Sequence, residues 1–346
     1  MFPFSIVYGI IIWVRNAIFD KKIFKSATFN FPLICVGNLA IGGTGKTPMT
    51  EFIVNALKSK YKIATLSRGY KRRTKGFFIA IEGTTAIEIG DEPMQFHQKF
   101  PEIVVAVGEE RLFAIPQILY QKPETQVIVL DDAFQHRRVA AGLNIILTDY
   151  NNLFTRDFLF PTGDLRDIKS SYKRANIIIV TKCKNDLTEK ERSKIIQEIN
   201  PQNEQKVYFS TLKYDAPYHL FTKKQETLDR SKDVLLICGI ANPEPLKMHL
   251  MNNVHYYEMI RYADHHIFTS NDLKEIKRQF EKIQSEQKII ITTEKDAVRL
   301  EKFKTELIDF PIYVLPIQHE ILYNENDHFV HQLNSFIEKY PQQQSI

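Results

Sequence analysis

The chain has 346 residues, 44% of them hydrophobic and 25% charged, a composition that excludes disordered and fibrous classes and leaves room for two domains. Its 46 basic and 41 acidic residues give a net charge of +5, too mild to call for nucleic acid as a partner but suited to an anionic surface or substrate. Three widely spaced cysteines (Cys35, Cys183, Cys238) suggest neither a disulfide framework nor a zinc site and point to a reducing, cytosolic setting.

The N-terminal segment departs from this soluble pattern. Phe2 to Val14 is uncharged and is followed by Arg15, Lys21, Lys22 and Lys25. An apolar helix of that length measures about 20 Å, short of the ~30 Å hydrocarbon core, so it is not expected to span a bilayer. A secretory signal would carry its positive charges before the apolar run. Residues 1–25 therefore read as a monotopic helix with Phe2, Phe4, Tyr8 and Trp13 at the interface and basic residues behind them. A helix packed on the protein's own surface is the alternative.

Next comes a strand-like run, Phe31 to Val36, and then Ala40-Ile41-Gly42-Gly43-Thr44-Gly45-Lys46-Thr47 leading into a helical pattern at Pro48. This is the order of a phosphate-binding P-loop, with Ala40 at the position usually held by glycine. Glycines let backbone N–H groups turn toward phosphate oxygens, Lys46 can reach the β/γ-phosphates, the Thr47 hydroxyl can ligate Mg²⁺, and the helix N-terminus adds its positive end. The segment predicts nucleoside triphosphate binding.

Beyond it, β-branched runs near 62–66, 77–81, 103–107, 126–131, 144–148 and 176–180 alternate with helical patterns near 47–59, 91–99 and 109–121. Near-continuous apolar strands such as Val127 to Leu130 and Ile177 to Val180 imply a mainly parallel sheet covered on both faces, with the P-loop at its carboxyl edge. Polar, irregular sequence over about 199–232 predicts a junction. The rhythm then resumes with strands at Val234 to Cys238, Val254 to Glu258, Lys288 to Thr292 and Ile312 to Leu315. A helix from Asn271 has Ser270 as its expected N-cap and Leu273, Ile276, Phe280 and Ile283 on one face, and a final helix covers about 325–340. The expected fold is a P-loop NTPase-type α/β domain with a mainly parallel sheet (26–210), a linker (211–232), a second, smaller α/β domain (233–346) and the N-terminal membrane-associating helix (1–25).

Several segments carry residues suited to chemistry. Asp131 and Asp132 end an apolar strand, where an aspartate beside a P-loop holds Mg²⁺ directly or through water; without the P-loop they would read as a solvated turn. Gln135 and His136 follow and could position phosphate or substrate, or brace the loop. Asp91 and Glu92 open a helix, where acids act as caps, yet either is placed to serve as general base for a hydroxyl substrate. Asp264-His265-His266 offers an imidazole that could orient or relay protons to a carboxylate, with a zinc site as the alternative. Arg68-Gly-Tyr-Lys-Arg-Arg73 with Lys75 is a basic loop that is either solvated or faces anionic headgroups or a phosphorylated substrate, and Arg166 in the turn after Pro161 could reach phosphate or form a structural ion pair.

In order along the chain, Val36-Gly-Asn-Leu39 with Gly-Gly-Thr-Gly-Lys-Thr-Pro48, Leu66-Ser-Arg-Gly-Tyr70, Gly90-Asp-Glu-Pro93, Asp131-Asp-Ala-Phe-Gln-His136, Pro161-Thr-Gly-Asp-Leu-Arg166, Gly239-Ile-Ala-Asn-Pro243, Asp264-His265-His266 and Thr293-Glu-Lys-Asp296 together resemble the tetraacyldisaccharide 4′-kinase family of lipid A biosynthesis. Ala133 stands where the family usually has glycine, Thr162 and Asp164 depart from the usual turn, and Asp167 stands where glutamate is common. The resemblance implies ATP- and Mg²⁺-dependent phosphorylation of the 4′-hydroxyl of a tetraacylated glucosamine disaccharide 1-phosphate at the cytoplasmic face of the inner membrane, with no obligate protein partner and no nucleic acid. It implies roles for Lys46 and Thr47 at the phosphates and Mg²⁺, for Asp131 and Asp132 at the metal, for Asp91 as general base and for His265 as its orienting partner. Arg68, Glu92, Gln135, His136 and Arg166 are supporting candidates. A GTPase or ATPase of metal-delivery or cofactor-assembly type, or a membrane-attached nucleotide sensor, are the competing readings.

Overall fold

A computed structural model describes residues 2–341. They form two compact units, one running up to Lys213 and resuming at Gln318, the other spanning Tyr214–Ile317.

The first unit opens with α1 (Phe2–Asp20), followed by β1 (Leu33–Asn38), α2 (Lys46–Leu57), β2 (Ile63–Ser67), β3 (Phe78–Ile79), α3 (Ala86–Ile89) and α4 (Asp91–Lys99). It continues with β4 (Val104–Val107), α5 (Arg111–Gln121), β5 (Val127–Asp131), β6 (Leu143–Asp149), β7 (Ile177–Thr181), α6 (Glu189–Ile199) and β8 (Lys206–Tyr214). The second unit adds β9 (Tyr218–His219), β10 (Asp233–Cys238), α7 (Glu244–Asn253), β11 (Tyr256–Arg261), α8 (Ser270–Lys282), β12 (Lys288–Thr293), α9 (Glu294–Leu300), α10 (Lys304–Leu307) and β13 (Ile312–Leu315). The chain then returns to the first unit through β14 (Ile317–Ile321) and α11 (Asn326–Ile337).

The first sheet has nine strands in the order β14-β8-β7-β6-β1-β5-β2-β4-β3. The run from β8 to β4 is parallel throughout, and the two-residue β3 pairs antiparallel at one edge. Strands β1, β5 and β7 are buried at every position, so their β-branched and aliphatic side chains fill both faces and leave polar chemistry to the strand ends. Strand order reverses around β1, which has β5 on one side and β6 on the other; the loop after β1 therefore lies at a switch point, where open α/β sheets bind ligands.

The second sheet has five strands, β11-β10-β12-β13-β9, parallel except for β9. Leu273, Ile276 and Phe280 on α8 pack on one face with Leu235, Ile237 and Ile290, and Leu246 and Leu250 on α7 cover the other with Val234 and Leu236.

Four expectations need correction. No linker occupies 211–232: β8 extends to Tyr214, β9 pairs with β13, and Leu220 is buried in the second core. The second domain does not run to the C-terminus, because α11 buries Phe329, Leu333, Phe336 and Ile337 against the first unit, where Phe329 packs on Phe52 and Tyr208. The strand expected at Val254 to Glu258 begins at Tyr256, after Val254 has ended α7. The N-cap of α8 is Thr269, whose hydroxyl accepts from the Asp272 N–H, with the Asp272 carboxylate bonded in return.

Helix α1 is amphipathic in reverse. It turns Ser5, Asn16 and Phe19 inward and leaves Phe2, Phe4, Ile6, Val7, Ile10, Ile11 and Trp13 more than half exposed. Over 19 residues it measures about 28 Å, longer than its uncharged stretch, and by length and composition it could cross a bilayer. Its polar side is nevertheless stitched along the first unit. The Ser5 and Thr162 hydroxyls share a hydrogen bond of 2.6 Å, the Tyr8 hydroxyl donates to the Arg166 carbonyl at 3.0 Å, and the Asn16 amide donates to buried Asp167 at 2.8 Å. Arg137 pairs with Asp20 at 2.6 Å. A helix face with this many large apolar side chains exposed marks a contact with something apolar.

Candidate active site

The P-loop connects β1 to α2. Gly42 and Gly45 have φ of +105° and +87°, which side chains rarely adopt, so glycine is required at both. Gly45 caps α2 without a side-chain bond, leaving the helix N-terminus open to an anion, and a Cβ built on Gly42 or Gly43 would meet nothing within 4 Å. Side chains from the neighbouring strands brace the loop. Thr181, at the end of β7, donates its hydroxyl to the Thr44 carbonyl at 2.8 Å, and the Asn38 amide donates to the Thr44 hydroxyl at 2.8 Å.

Asp131 and Asp132 follow at the end of β5, adjacent to β1. Lys46 Nζ lies 3.8 Å from Asp132 Oδ1. Arg166 grips both Asp132 oxygens through a forked guanidinium, with Nη1 3.1 Å from Oδ2, and Nη2 also donates to Asn38 Oδ1 at 2.6 Å. Burial opposes ionisation of Asp132, but Lys46 and Arg166 outweigh it and hold the carboxyl below its ordinary range. Asp131 is buried and accepts from the Thr50 hydroxyl at 3.2 Å; burial first and repulsion from Asp132 second push its pKa up to about 7. Lys46 is pushed down by burial, with Asp132 pulling the other way. Glu92, in the first turn of α4, acts electrostatically on both Lys46 and Asp131, so the Gly90-Asp91-Glu92 turn belongs to the same constellation. Asp91 itself is buried at the start of α4.

The donors around the loop are hard oxygens: the Thr47 hydroxyl and two carboxylates. One or two carboxylates beside phosphate oxygens is the donor set that suits Mg²⁺, and an enclosed carboxylate with a pKa near 7 is what a neighbouring cation would relieve. The residues fit that ion.

Gln135 braces the loop, its amide donating to the Asn38 carbonyl at 2.8 Å while its own carbonyl accepts from Arg15 at 2.6 Å. His136 is held neutral, its pKa pushed down to about 4 by burial and then by the Arg111 and Arg68 cations. Within the basic loop, Arg72 is structural: its guanidinium is buried and pairs with Glu109 at 2.7 Å, whereas Arg68 is exposed.

Arg111 was not foreseen. It is 2% exposed and donates one bond to the Gly108 carbonyl, leaving Nε and Nη2 without protein partners. Burial and then Arg68 lower its pKa to about 10 against the pull of Asp131. The available signal was an arginine at the start of a helix, where the dipole disfavours a cation.

The second unit places its own cluster at the carboxyl ends of β10, β11 and β12. Asp296 is fully buried and accepts from the Gly239 N–H at 2.9 Å and the Thr293 hydroxyl at 2.8 Å, tying two strand ends together. Lys295 bridges Asp264 at 2.9 Å and His265 Nε2 at 3.2 Å, while Arg299 Nη2 lies 3.0 Å from His265 Nδ1. A neutral imidazole has one bare nitrogen, so it accepts from only one of these cations at a time. His266 is separate: it pairs with Asp272 at 3.1 Å and stacks on Tyr262. No group of three or more potential metal-binding side chains occurs among the described residues, which removes the zinc alternative for Asp264, His265 and His266. Asp91 and His265 lie in different units.

A glycine turn at a helix N-terminus, a lysine facing paired acids and a threonine hydroxyl at the switch point define a P-loop phosphotransferase. A family model described as tetraacyldisaccharide-1-P 4′-kinase matches residues 1–338. The chain is 41% identical over 352 residues to tetraacyldisaccharide 4′-kinase of Bacteroides thetaiotaomicron, covering 97% of this chain and 92% of that one. It is 44% identical over 319 residues to its Flavobacterium johnsoniae counterpart, covering 92% and 91%. A crystal structure of LpxK from Aquifex aeolicus in complex with ATP is similar at a TM-score of 0.76 and 25% identity, over 97% of this chain and 98% of that one. The chain belongs to the tetraacyldisaccharide-1-P 4′-kinase family.

Proposed function

We propose that this kinase transfers the γ-phosphoryl group of ATP to the 4′-hydroxyl of a tetraacylated glucosamine disaccharide 1-phosphate, a step of lipid A biosynthesis. The observation that carries the chemistry is the P-loop with Lys46 set against Asp131 and Asp132, and family membership carries the acceptor. The P-loop N–H groups and Lys46 hold the β/γ-phosphates. Asp91 takes the proton of the acceptor hydroxyl, whose oxygen attacks the γ-phosphorus as the bond to the β–γ bridging oxygen breaks and ADP leaves. His265 orients Asp91 or shares the proton, which requires the two units to bring these residues together in the reacting complex. Mg²⁺, held by the Thr47 hydroxyl and the Asp131 and Asp132 carboxylates, would neutralise charge on the phosphates. Both carboxylates would be available to it, Asp132 while also shared by Arg166 and Lys46. Glu92, Arg68, His136 and Arg166 shape the surrounding field, and Gln135 keeps the loop in place.

An apolar groove of about 360 Å³ lies between α1 and residues 158–168, lined by Phe2, Ile6, Ile10, Trp13, Phe158 and Ile168 among others. It suits an acyl chain of the acceptor, and the exposed face of α1 suits the cytoplasmic side of the inner membrane, where the protein would sit peripherally. No obligate protein partner is needed for this chemistry.

The direct assay is phosphate incorporation from ATP into the disaccharide precursor in micelles or vesicles. Incorporation with ATP but not without lipid supports the reading, and GTP hydrolysis with no lipid product would replace it. Two variants probe its parts. Replacing Asp131 by asparagine should abolish the Mg²⁺ response. The raised folded pKa means that stability is lost as pH rises from the ordinary carboxylate range through about 7, so at pH 8 the cation-free variant should melt higher than wild type, by about a few degrees or more, and the difference should shrink steadily as pH is lowered to about 4. An unchanged Mg²⁺ titration would remove Asp131 from the metal shell. Changing Ile6, Ile10 and Trp13 together to glutamine should weaken binding to anionic vesicles at least about tenfold and raise KM for lipid, with ATP affinity unaltered. Deleting the helix is a poorer test, because it would leave Asp167 without the Asn16 amide. Equal vesicle binding by the triple variant would show that α1 is a structural element only.

A further inference from the structure

His319, on β14, sits directly beneath the P-loop. Its Nε2 lies 2.9 Å from the Gly45 carbonyl and its Nδ1 3.0 Å from the Ser210 hydroxyl on β8, and the residue is 2% exposed. A carbonyl can only accept, so Nε2 carries the proton and Nδ1 takes the Ser210 hydroxyl's hydrogen. Burial, with Lys182 adding to it, pushes the imidazole down to about 4 against the favourable Gly45 bond, which keeps that tautomer neutral throughout the working range. The ring is also in steric register with the loop: a Cβ on Gly45 would come within 2.8 Å of His319 Nε2.

A phosphate cradle turns backbone N–H groups toward the anion, which turns the corresponding carbonyls the other way, into the protein, where each must find a donor. Thr181 supplies the donor for Thr44; Gly45, the residue whose left-handed backbone opens α2, accepts the Met49 N–H at 3.1 Å in the first turn of that helix, and His319 adds a second, side-chain donor to the same carbonyl. An apolar residue at 319 would leave the Gly45 carbonyl with the Met49 N–H alone and remove the side-chain contact that fixes the direction of the Gly45–Lys46 peptide.

We infer that His319 is a positioning residue for the P-loop: its Nε2–H pins the Gly45 carbonyl and thereby sets the phosphate-binding conformation, without itself reacting. The inference rests on the reading of residues 40–47 as an ATP site and assigns a role to a part of the chain that lies some 270 positions downstream of that loop.

The test uses the full-length protein and titration calorimetry with ATP and Mg²⁺. Wild type must bind ATP; if it does not, the ATP-site reading fails and His319 is not at issue. Against a binding wild type, His319→Phe should weaken ATP affinity by about 3- to 10-fold, the range expected for one lost hydrogen bond at a carbonyl that keeps another, and raise KM for ATP while leaving KM for lipid unchanged. His319→Gln, whose amide nitrogen reaches where Nε2 lies, should recover most of the affinity; His319→Asn, whose amide nitrogen reaches only to the Nδ1 position, should not. A folded His319→Phe protein with wild-type ATP affinity would overturn the proposal. If that variant does not fold, equal ATP affinities for the glutamine and asparagine variants would overturn it instead, because a purely structural role would not distinguish the two nitrogen positions.

Discussion

Alanine in place of Lys46 is expected to lower kcat by roughly 10²- to 10³-fold with the fold retained. The lysine is mostly buried at the first position of α2, where burial lowers its pKa and Asp132 3.8 Å away restores part of it, so its charge is committed to the site and not to solvent. In phosphoryl transfer the protein mainly positions the reactants and neutralises charge, and removing one such electrostatic contact costs about 2.7–4 kcal/mol in transition-state stabilisation. Stability should hardly change, because Asp132 keeps its forked contact with Arg166 when the lysine is lost. Arginine should not substitute well: its planar fork has a different shape from a compact ammonium and would compete for the place Arg166 already fills. Single-turnover kinetics and a melting curve on the same preparation decide the matter. A folded Lys46→Ala protein with near-wild-type turnover would remove the P-loop assignment.

What could be read from the sequence was local. The P-loop is legible because its chemistry lies in eight consecutive residues whose glycines, lysine and threonine each answer to a backbone or phosphate requirement. The strand ending in Asp131 and the helix opening at Asp91 are legible because apolar runs and terminal acids have short periods. The elements that were missed depend on distant partners. Strand β8 reads as irregular because it carries polar Ser210 and Thr211, both buried; Ser210 is there to meet His319, 109 residues on. The return of β14 and α11 to the first unit leaves no local trace, since an apolar helix face at Phe329, Leu333 and Phe336 looks the same whichever core it covers. Arg111 shows nothing in the sequence beyond an ill-placed charge, and its meaning appears only when Asp131, Arg68 and His136 surround it. Asn16 reads as a polar break near the end of an apolar helix and is instead the buried contact with Asp167 that fixes the helix to the turn carrying Arg166.

The second large effect is expected at Asp91 and His265. Asp91→Asn and His265→Ala should each lower kcat by about 10²- to 10⁴-fold, the usual contribution of a general base, while ATP and lipid binding survive. The carboxylate opens α4 in the first unit, beside the acid whose field already reaches Lys46 and Asp131. The imidazole stands in the second unit at a left-handed residue, φ +63°, held between Lys295 and Arg299. That setting suits a positioned partner: Lys295 and Arg299 lie against its two ring nitrogens, the Asp264 carboxylate is 3.8 Å away, and Asp91 is the carboxylate it is proposed to orient. If the two act as one unit, the double variant should be no slower than the slower single variant, because the first substitution has already removed the function of the pair. Independent contributions would multiply instead. The cycle should be run on kcat at saturating ATP and lipid, so that any change in binding is kept apart from the chemical step. Multiplying losses, or a normal kcat for His265→Ala, would dissolve the pair and leave Asp91 as the helix-opening acid that its position in the sequence already suggests.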